Sequence, residues 1–177
     1  DATRIHNPAE VPDLVRVAVG VDPMGSVRSA EAECGIVVGG VGRNGEGYLL
    51  ADYSIHGTPE QWGSVVVAAY QQHKADHVVV ERNFGGDMVL STLRAIEETL
   101  PVKEVVAARG KIVRAEPVAA LSEQGKLHHV GNFPQLEEEL CRFVLGDPSP
   151  NRLDAYAWLW HDLMLGGQRG CRLWSCE

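Results

Sequence analysis

Near its middle the sequence reads His77-Val78-Val79-Val80-Glu81-Arg82-Asn83, a run of three valines that ends in a glutamate. Consecutive β-branched residues are typical of a strand that is buried on both faces of a sheet. A carboxylate at the end of such a strand is costly to remove from water unless a positive charge accompanies it. Arg82 is adjacent, but neighbouring residues of a strand point to opposite faces, so it is a poor partner. A divalent cation is the alternative that we consider for Glu81.

Two further acids occupy comparable positions. Asp22 ends an apolar strand pattern at 17–21, and Asp154 lies near the start of a helix predicted over 151–165. If the crossovers are right-handed, the strands that end in Asp22 and Glu81 present their carboxyl ends at the same sheet edge. Asp154 can reach that edge from its helix. Each acid alone also has an ordinary explanation: a turn residue, a strand end, or a charge that complements the helix dipole.

Three carboxylates gathered at one edge would raise one another's pKa unless cations neutralise them. Hard divalent ions with oxygen ligands, Mg²⁺ or Mn²⁺, are the natural partners. Two such ions, about 3.5–4 Å apart, can hold both the attacking water and the leaving oxygen of a phosphodiester. The trio Asp22, Glu81 and Asp154 therefore predicts two-metal hydrolysis, with the acids as catalytic metal ligands and no side chain as nucleophile.

The composition is that of one ordinary domain, with 177 residues of which 45% are hydrophobic. The net charge of −8 argues against a protein that coats nucleic acid through bulk charge. It does not exclude a nuclease, because a carboxylate site carries part of that charge until cations bind. The four cysteines lack metal-binding spacing and are predicted to be reduced. No apolar run approaches the roughly 20 residues that a membrane span needs.

The order of elements predicts an α/β fold with a mixed sheet. Strand patterns at 16–22, 34–39 and 47–54 come first, helices and strands then alternate, and two helices close the chain. An antiparallel meander followed by crossovers gives a mixed sheet with helices on both faces, which is the order of the ribonuclease H-like fold. The predicted divisions are a linker or arm at 1–15, the domain at 16–166, and a poorly ordered tail at 167–177.

Other motifs give weaker signals. Gly40-Val41-Gly42-Arg43-Asn44-Gly45 has the form GxGxxG, but a strand follows it where dinucleotide binding needs a helix, and Asn44-Gly45 favours a hairpin turn. Asp52 follows an apolar strand; its alternation favours a solvent-facing position, and a place beside the metals is the alternative. His128, His129 and His161 suggest zinc, but no third soft ligand has suitable spacing.

The one tight basic cluster is Arg109, Lys111 and Arg114, which precedes a predicted helix N-terminus. Backbone N–H groups at such a terminus favour phosphate, so these residues are candidates for contacts with the DNA backbone. A solvated surface is the alternative interpretation.

Four motifs in order resemble the C-terminal nuclease domain of the large terminase subunit of tailed bacteriophages and prophages. They are Val19-Gly20-Val21-Asp22-Pro23, Glu81-Arg82-Asn83-Phe84-Gly85-Gly86, Lys111 with Arg114-Ala115-Glu116-Pro117, and Arg152-Leu153-Asp154-Ala155. The resemblance covers roughly 14–165. It implies a ribonuclease H-like fold, acidic metal ligands at Asp22, Glu81 and Asp154, DNA contacts from Lys111 and Arg114, and a polar residue near the metals at Asn151.

The resemblance also implies an activity and partners. We expect a Mg²⁺- or Mn²⁺-dependent endonuclease with little sequence preference, which cuts concatemeric double-stranded viral DNA during genome packaging in the cytoplasm of an infected bacterium. The expected partners are an N-terminal ATPase domain of the same protein, the portal ring and a small terminase subunit. This sequence contains no phosphate-binding loop of an ATPase, which is expected of an excised domain. The alternatives are a junction resolvase or ribonuclease H, or an inactive docking module.

Overall fold

The computed structural model describes residues 3–23, 33–81, 86–105, 112–144 and 150–166. The strands are β1 Arg4–Ile5, β2 Leu14–Pro23, β3 Glu33–Gly42, β4 Gly47–Asp52, β5 Ile55–His56, β6 His77–Glu81, β7 Val102–Val105 and β8 Leu127–Val130. The helices are α1 Pro59–Gln72, α2 Gly86–Ile96, α3 Ile112–Glu123, α4 Pro134–Arg142 and α5 Asn151–Trp160, which continues into a π-helical turn, His161–Leu165.

The described strands form one mixed sheet in the order β1-β8-β4-β3-β2-β6-β7, with β5 added beside β3. β2, β3 and β4 pair antiparallel, as expected of the initial meander. β6 pairs parallel with β2 and with β7, and β8 pairs parallel with β4 and with β1. The predicted mixed sheet is confirmed, and β2 and β6 are neighbours within it.

Helices cover both faces of this sheet. On one face α1 and α2 pack against alternate residues of the central strands, through buried side chains that include Trp62, Val66, Val89 and Leu93. On the other face α5 lies on β2 and β3, flanked by α3 and α4, through side chains that include Leu136, Trp158, Leu159 and Trp160. A strand covered on both sides must be apolar along its whole length, which explains the three valines of β6.

Local sequence signals set the ends of several elements. Thr58 accepts a hydrogen bond from the Gln61 backbone N–H while the Gln61 side chain accepts one from the Thr58 N–H, and together they form a capping box at the start of α1. Gly45 has a φ of +79° in the turn between β3 and β4, so the glycine-rich segment forms a hairpin. α3 begins at Ile112, slightly before the predicted start, and contains Pro117.

The segment expected to be a linker or arm contributes to the sheet within its described part. β1 pairs with β8, and Arg4 donates two hydrogen bonds to Glu137 at 2.8 and 3.0 Å. Glu137 and Glu139 of α4 pair with Arg4 and Arg152, whereas the side chain of Glu138 is 56% exposed. The predicted tail, 167–177, lies outside the described residues.

The described cysteines are free thiols. Cys34 is a buried thiol and Cys141 an exposed one, and neither is in a disulfide. Cys171 and Cys176 lie outside the described residues. Within the part of the chain that is described, no helix has the length and apolar character to cross a membrane.

Candidate active site

Asp22 and Glu81 lie side by side at the carboxyl ends of two adjacent parallel strands. Val21 of β2 and Val80 of β6 are paired residues in the parallel ladder, and the two acids follow them directly. Both side chains are partly exposed at this edge of the sheet. The prediction that these strands are neighbours, with their carboxyl ends together, is therefore confirmed by the register.

The two acids also share a face of the sheet. Ala18 of β2 and Val79 of β6 belong to the core under α5, whereas Val78 and its alternate neighbours belong to the core under α1. Because side chains alternate along a strand, Asp22 and Glu81 point toward the α5 side. The outermost polar position of each strand thus faces the helix that carries the third acid.

Helix α5 runs antiparallel to β2 along this face. A Cβ added at Gly20 would lie 2.5 Å from the carbonyl oxygen of Ala155, so glycine is what allows the helix to approach the strand so closely. At the other end of the contact, Arg16 donates a hydrogen bond to the carbonyl of Leu163. The first turn of α5, with Asp154, therefore lies at the carboxyl end of β2.

A hydrogen bond links this helix directly to Glu81. The indole Nε1–H of Trp158 donates to Glu81 Oε2 at 3.2 Å. Asp154 is four residues earlier, so it lies on the same side of the helix, about 6 Å further toward its N-terminus. Asp154 is only 5% exposed, a burial that a carboxylate tolerates only with compensating partners.

The edge carries a concentration of negative charge. Burial raises the pKa of the Cys34 thiol well above its ordinary value, and the carboxylates of Asp22 and Glu33 raise it further. Within the described residues, no three His, Cys, Asp or Glu side chains stand close enough together to hold a metal ion. The three acids share an edge and a face without forming a preassembled metal cluster, and their role as ligands stays a prediction.

Asn151 and Asp52 lie close to the acids in the fold but make structural contacts. The Asn151 side chain donates to the carbonyl of Glu33 at 3.0 Å, and its backbone packs against Gly35, the residue paired with Asp22. Asp52 was expected to face solvent, which is wrong because its side chain is 11% exposed and lies 3.4 Å from Arg152 Nε. A place for either residue beside metals stays a prediction.

The structure says less about the basic and histidine candidates. Arg109 and Lys111 lie outside the described residues, as does the side chain of Arg114, whose backbone is in the first turn of α3. His128 lies 2.9 Å from Glu46, and His129 lies 3.0 Å from Glu137. Each of these two histidines thus has a carboxylate partner in a different part of the sheet from Asp22.

Comparison with known families settles the fold family. The family model of the terminase RNase H-like domain matches residues 19–159, which contain Asp22, Glu81 and Asp154. The chain belongs to the terminase RNase H-like domain family. The resemblance found in the four sequence motifs is thereby confirmed.

Solved structures agree on the fold of this terminase domain. The large terminase nuclease from thermophilic phage G20c is 16% identical, with a TM-score of 0.61 over 89% of this chain and 84% of that one. The bacteriophage HK97 large terminase is 12% identical with a TM-score of 0.60, and the match spans 40% of its length. The yeast mitochondrial Holliday junction resolvase is 12% identical, with a TM-score of 0.50 over 88% of this chain and 84% of that one. No curated protein matches the sequence.

Further crystal structures of the G20c nuclease contain bound cobalt, zinc or magnesium. These match this chain with TM-scores of 0.60 to 0.61 and identities of 15 to 16%, which establishes the shared fold.

Two residues of this terminase domain escaped the sequence analysis. Trp158 reads as an apolar helix residue, and nothing in its spacing points to a glutamate 77 positions earlier. Arg152 reads as a charged residue at a helix start, yet it is 8% exposed and surrounded by carboxylates from three elements. The only available signal was its place in Arg152-Leu153-Asp154, on a helix whose remaining positions are almost all apolar.

Proposed function

We propose that this domain is a divalent-metal-dependent DNA endonuclease that cuts concatemeric double-stranded viral DNA during genome packaging. One observation supports the proposal: Asp22, Glu81 and the first turn of α5, which contains Asp154, lie at the same edge and on the same face of a terminase RNase H-like sheet. Carboxylates from three separate elements, held by packed strands and a buried helix, are a suitable frame for hard cations.

The donor set fits Mg²⁺ or Mn²⁺ in chemistry, because all three side chains offer hard oxygen atoms. When bound, two such ions activate a water and stabilise the leaving oxygen of a phosphodiester. The role of the protein is to supply Asp22, Glu81 and Asp154 as ligands in fixed positions.

Trp158 fits the same scheme as an orienting residue. Its N–H engages one oxygen of the Glu81 carboxylate and so limits the rotation of that group. Donors behind a metal ligand fix its orientation in this way in many metal sites. We further propose that the substrate is duplex DNA, delivered by an ATPase domain, a portal ring and a small terminase subunit in the cytoplasm of an infected bacterium. The net charge of −8 supports the need for delivery.

The first test is nicking of supercoiled plasmid with Mn²⁺, with Mg²⁺ and with EDTA. Cutting is expected with either ion and not with EDTA. Asp22→Asn and Glu81→Gln keep the shape of each side chain and remove its charge, so each is expected to lower the rate by more than about 100-fold, beyond the cost typical of groups behind the ligands. Glu98→Gln, at an exposed turn after α2, is the matched control and is expected to cut normally. Unchanged cutting by both site variants contradicts the proposal.

The substrate class needs its own comparison, because the fold is shared with a junction resolvase. Linear duplex, four-way junctions and RNA–DNA hybrids are offered at equal concentration with Mn²⁺. Faster cutting of the duplex is expected. A strong preference for junctions or hybrids favours the alternatives left open by the sequence, and absence of any calorimetric metal binding at millimolar concentration favours an inactive docking module.

A further inference from the structure

The first turn of α5 is fixed in an unusual way. Pro150 occupies the N-cap position, and a proline side chain has no oxygen that can accept from the first backbone N–H groups of the helix. The turn closes through the hydrogen bond from the Asp154 N–H to the Pro150 carbonyl, at 3.0 Å. Loss of an N-cap costs a helix end typically about 1 kcal/mol, and helix ends fray. Asp154 lies in the part of the helix where such fraying would move it.

Arg152 ties this turn to three other elements. Its guanidinium contacts Glu33 at the start of β3, lies 3.0 Å from Glu139 Oε1 of α4, and lies 3.4 Å from Asp52 Oδ2 at the end of β4. It also donates to Gln135 Oε1 at 3.3 Å. These contacts form what we call the Arg152 clamp: Arg152 with Glu33, Asp52, Gln135 and Glu139.

The clamp is a poor device for stability alone. One guanidinium, 8% exposed, meets three carboxylates, so the group carries excess negative charge next to an already acidic edge. Buried ion clusters of this kind often stabilise a fold no better than apolar residues of equal volume. Burial of apolar side chains stabilises α5 instead, because its own residues Trp158, Leu159 and Trp160 are buried in the core. What a planar guanidinium that contacts several elements supplies beyond stability is a fixed position.

We propose that Arg152 is a positioning residue, which holds the first turn of α5 against β3, β4 and α4 and thereby fixes Asp154 relative to Asp22 and Glu81. The inference rests on the proposed function for its catalytic consequence. Its structural part, the immobilisation of the turn, is independent of that function. The clamp borders a cavity of about 470 Å³ whose lining includes Glu33, Glu139, Arg142 and Arg152.

The test compares Arg152→Met, Arg152→Lys and Glu33→Gln with the parent domain. Methionine keeps an unbranched side chain and removes the fork, lysine keeps the charge without the fork, and Glu33→Gln removes one acceptor. Arg142→Met is the matched control, because Arg142 lines the same cavity but its side chain is 79% exposed and pairs only locally with Glu138.

The functional readout is the Mn²⁺ concentration at half-maximal cutting, with the affinity for Mn²⁺ measured by calorimetry. Arg152→Met is expected to raise both values by roughly 10-fold or more, as groups behind a metal ligand do, while the KM for DNA changes less than about twofold. Arg152→Lys is expected to fall between Arg152→Met and the parent. Arg142→Met is expected to match the parent.

The structural readout is hydrogen exchange in the metal-free protein. Exchange at the Asp154 amide is expected to accelerate in Arg152→Met, while exchange at Leu159 and Trp160 stays at the parent rate. A parent domain that binds no metal overturns the proposed function and leaves the exchange result to decide the clamp. A folded Arg152→Met with parental exchange and parental Mn²⁺ affinity overturns the clamp and leaves the proposed function standing. If Arg152→Met does not fold, Arg152→Lys and Glu33→Gln decide by the same two readouts.

Discussion

At the scale of single residues, the hydrogen bond between Trp158 and Glu81 is a contact at the candidate site that the sequence does not predict. An indole N–H donates but does not accept, and here it engages one oxygen of the Glu81 carboxylate. The position is 4% exposed, which keeps water from competing for that hydrogen bond.

Trp158→Phe should separate this role from packing. A smaller aromatic ring remains and the donor is lost, so the free energy of unfolding is expected to fall by about 1–3 kcal/mol. The rate of cutting at limiting Mn²⁺ is expected to fall by about 10-fold, since Glu81 loses its orienting partner. Trp62→Phe makes the same change beneath the other face of the sheet and is expected to cut normally. Equal activity of the two variants would argue against an orienting role.

Glu137 gives a prediction about acid stability. Hydrogen bonds from Arg4, and with them one from His129, lower the pKa of Glu137 from 4.5 to about 2. A carboxyl whose pKa is depressed in the folded state stabilises the fold fully above pH 4.5, and this stabilisation is lost as the pH falls from 4.5 toward 2.

Glu137→Gln tests whether this contribution to stability is lost on acidification. The difference in urea midpoint between the parent and Glu137→Gln is expected to be largest at neutral pH and to shrink below pH 4.5. Glu138→Gln, on the same helix but 56% exposed, is expected to show little difference at any pH. A Glu137→Gln difference that grows on acidification would contradict the assignment.

The sequence alone indicates some residues of the candidate site and gives no sign of others. Asp22 and Glu81 were found because a carboxylate at the end of an apolar strand is anomalous within its own segment. Arg152 and Trp158 are not unusual within their own segment. What distinguishes them is that their partners, Glu33 and Glu81, come from distant parts of the chain. Asp52 was misjudged for the same reason, because alternation along β4 says nothing about Arg152.

At the scale of elements, the approach of α5 to the sheet is set by glycines. A Cβ at Gly35 would lie 2.1 Å from the backbone oxygen of Asn151, and this backbone cannot yield without shifting the first turn of the helix. Gly35 is paired with Asp22, so the same contact sets the distance between that turn and the strand that carries Asp22.

Gly35→Ala should therefore displace the start of α5. We expect destabilisation of about 1–3 kcal/mol, the usual cost of overpacking, and a loss of cutting larger than the loss of folded protein. Gly57→Ala is the matched control, because its Cβ would meet only side-chain atoms, the nearest being Gln61 Oε1 at 3.0 Å. Normal cutting by folded Gly35→Ala would show that the spacing is not critical.

The elements themselves were well predicted because their signals are local. The capping box of α1, the hairpin turn at Gly45 and the apolar run of β6 each depend on neighbouring residues. β1 was not predicted, since two residues of strand have no periodicity and exist only through pairing with β8. The pairing of Glu137 and Glu139 on α4 could not be predicted locally, because their partners Arg4 and Arg152 come from distant parts of the chain.

At the scale of the whole molecule, the net charge of −8 limits how the domain meets DNA. The predicted contacts are three basic residues, Arg109, Lys111 and Arg114. With Ca²⁺ in place of the catalytic ion, we expect weak binding whose logarithmic salt dependence has a slope of about −2.7, three contacts at roughly −0.9 each. Fluorescence anisotropy at several salt concentrations measures it. A slope near −6 would require a phosphate-binding surface beyond that cluster.

The central claim is that Asp22, Glu81 and Asp154 together hold divalent cations. Anomalous diffraction from a crystal of this domain soaked in Mn²⁺ tests it most directly. We expect two anomalous peaks between the three carboxylates, about 3.5–4 Å apart. Peaks bound elsewhere, or an Asp154 carboxylate directed away from ions held by the other two acids, would contradict it.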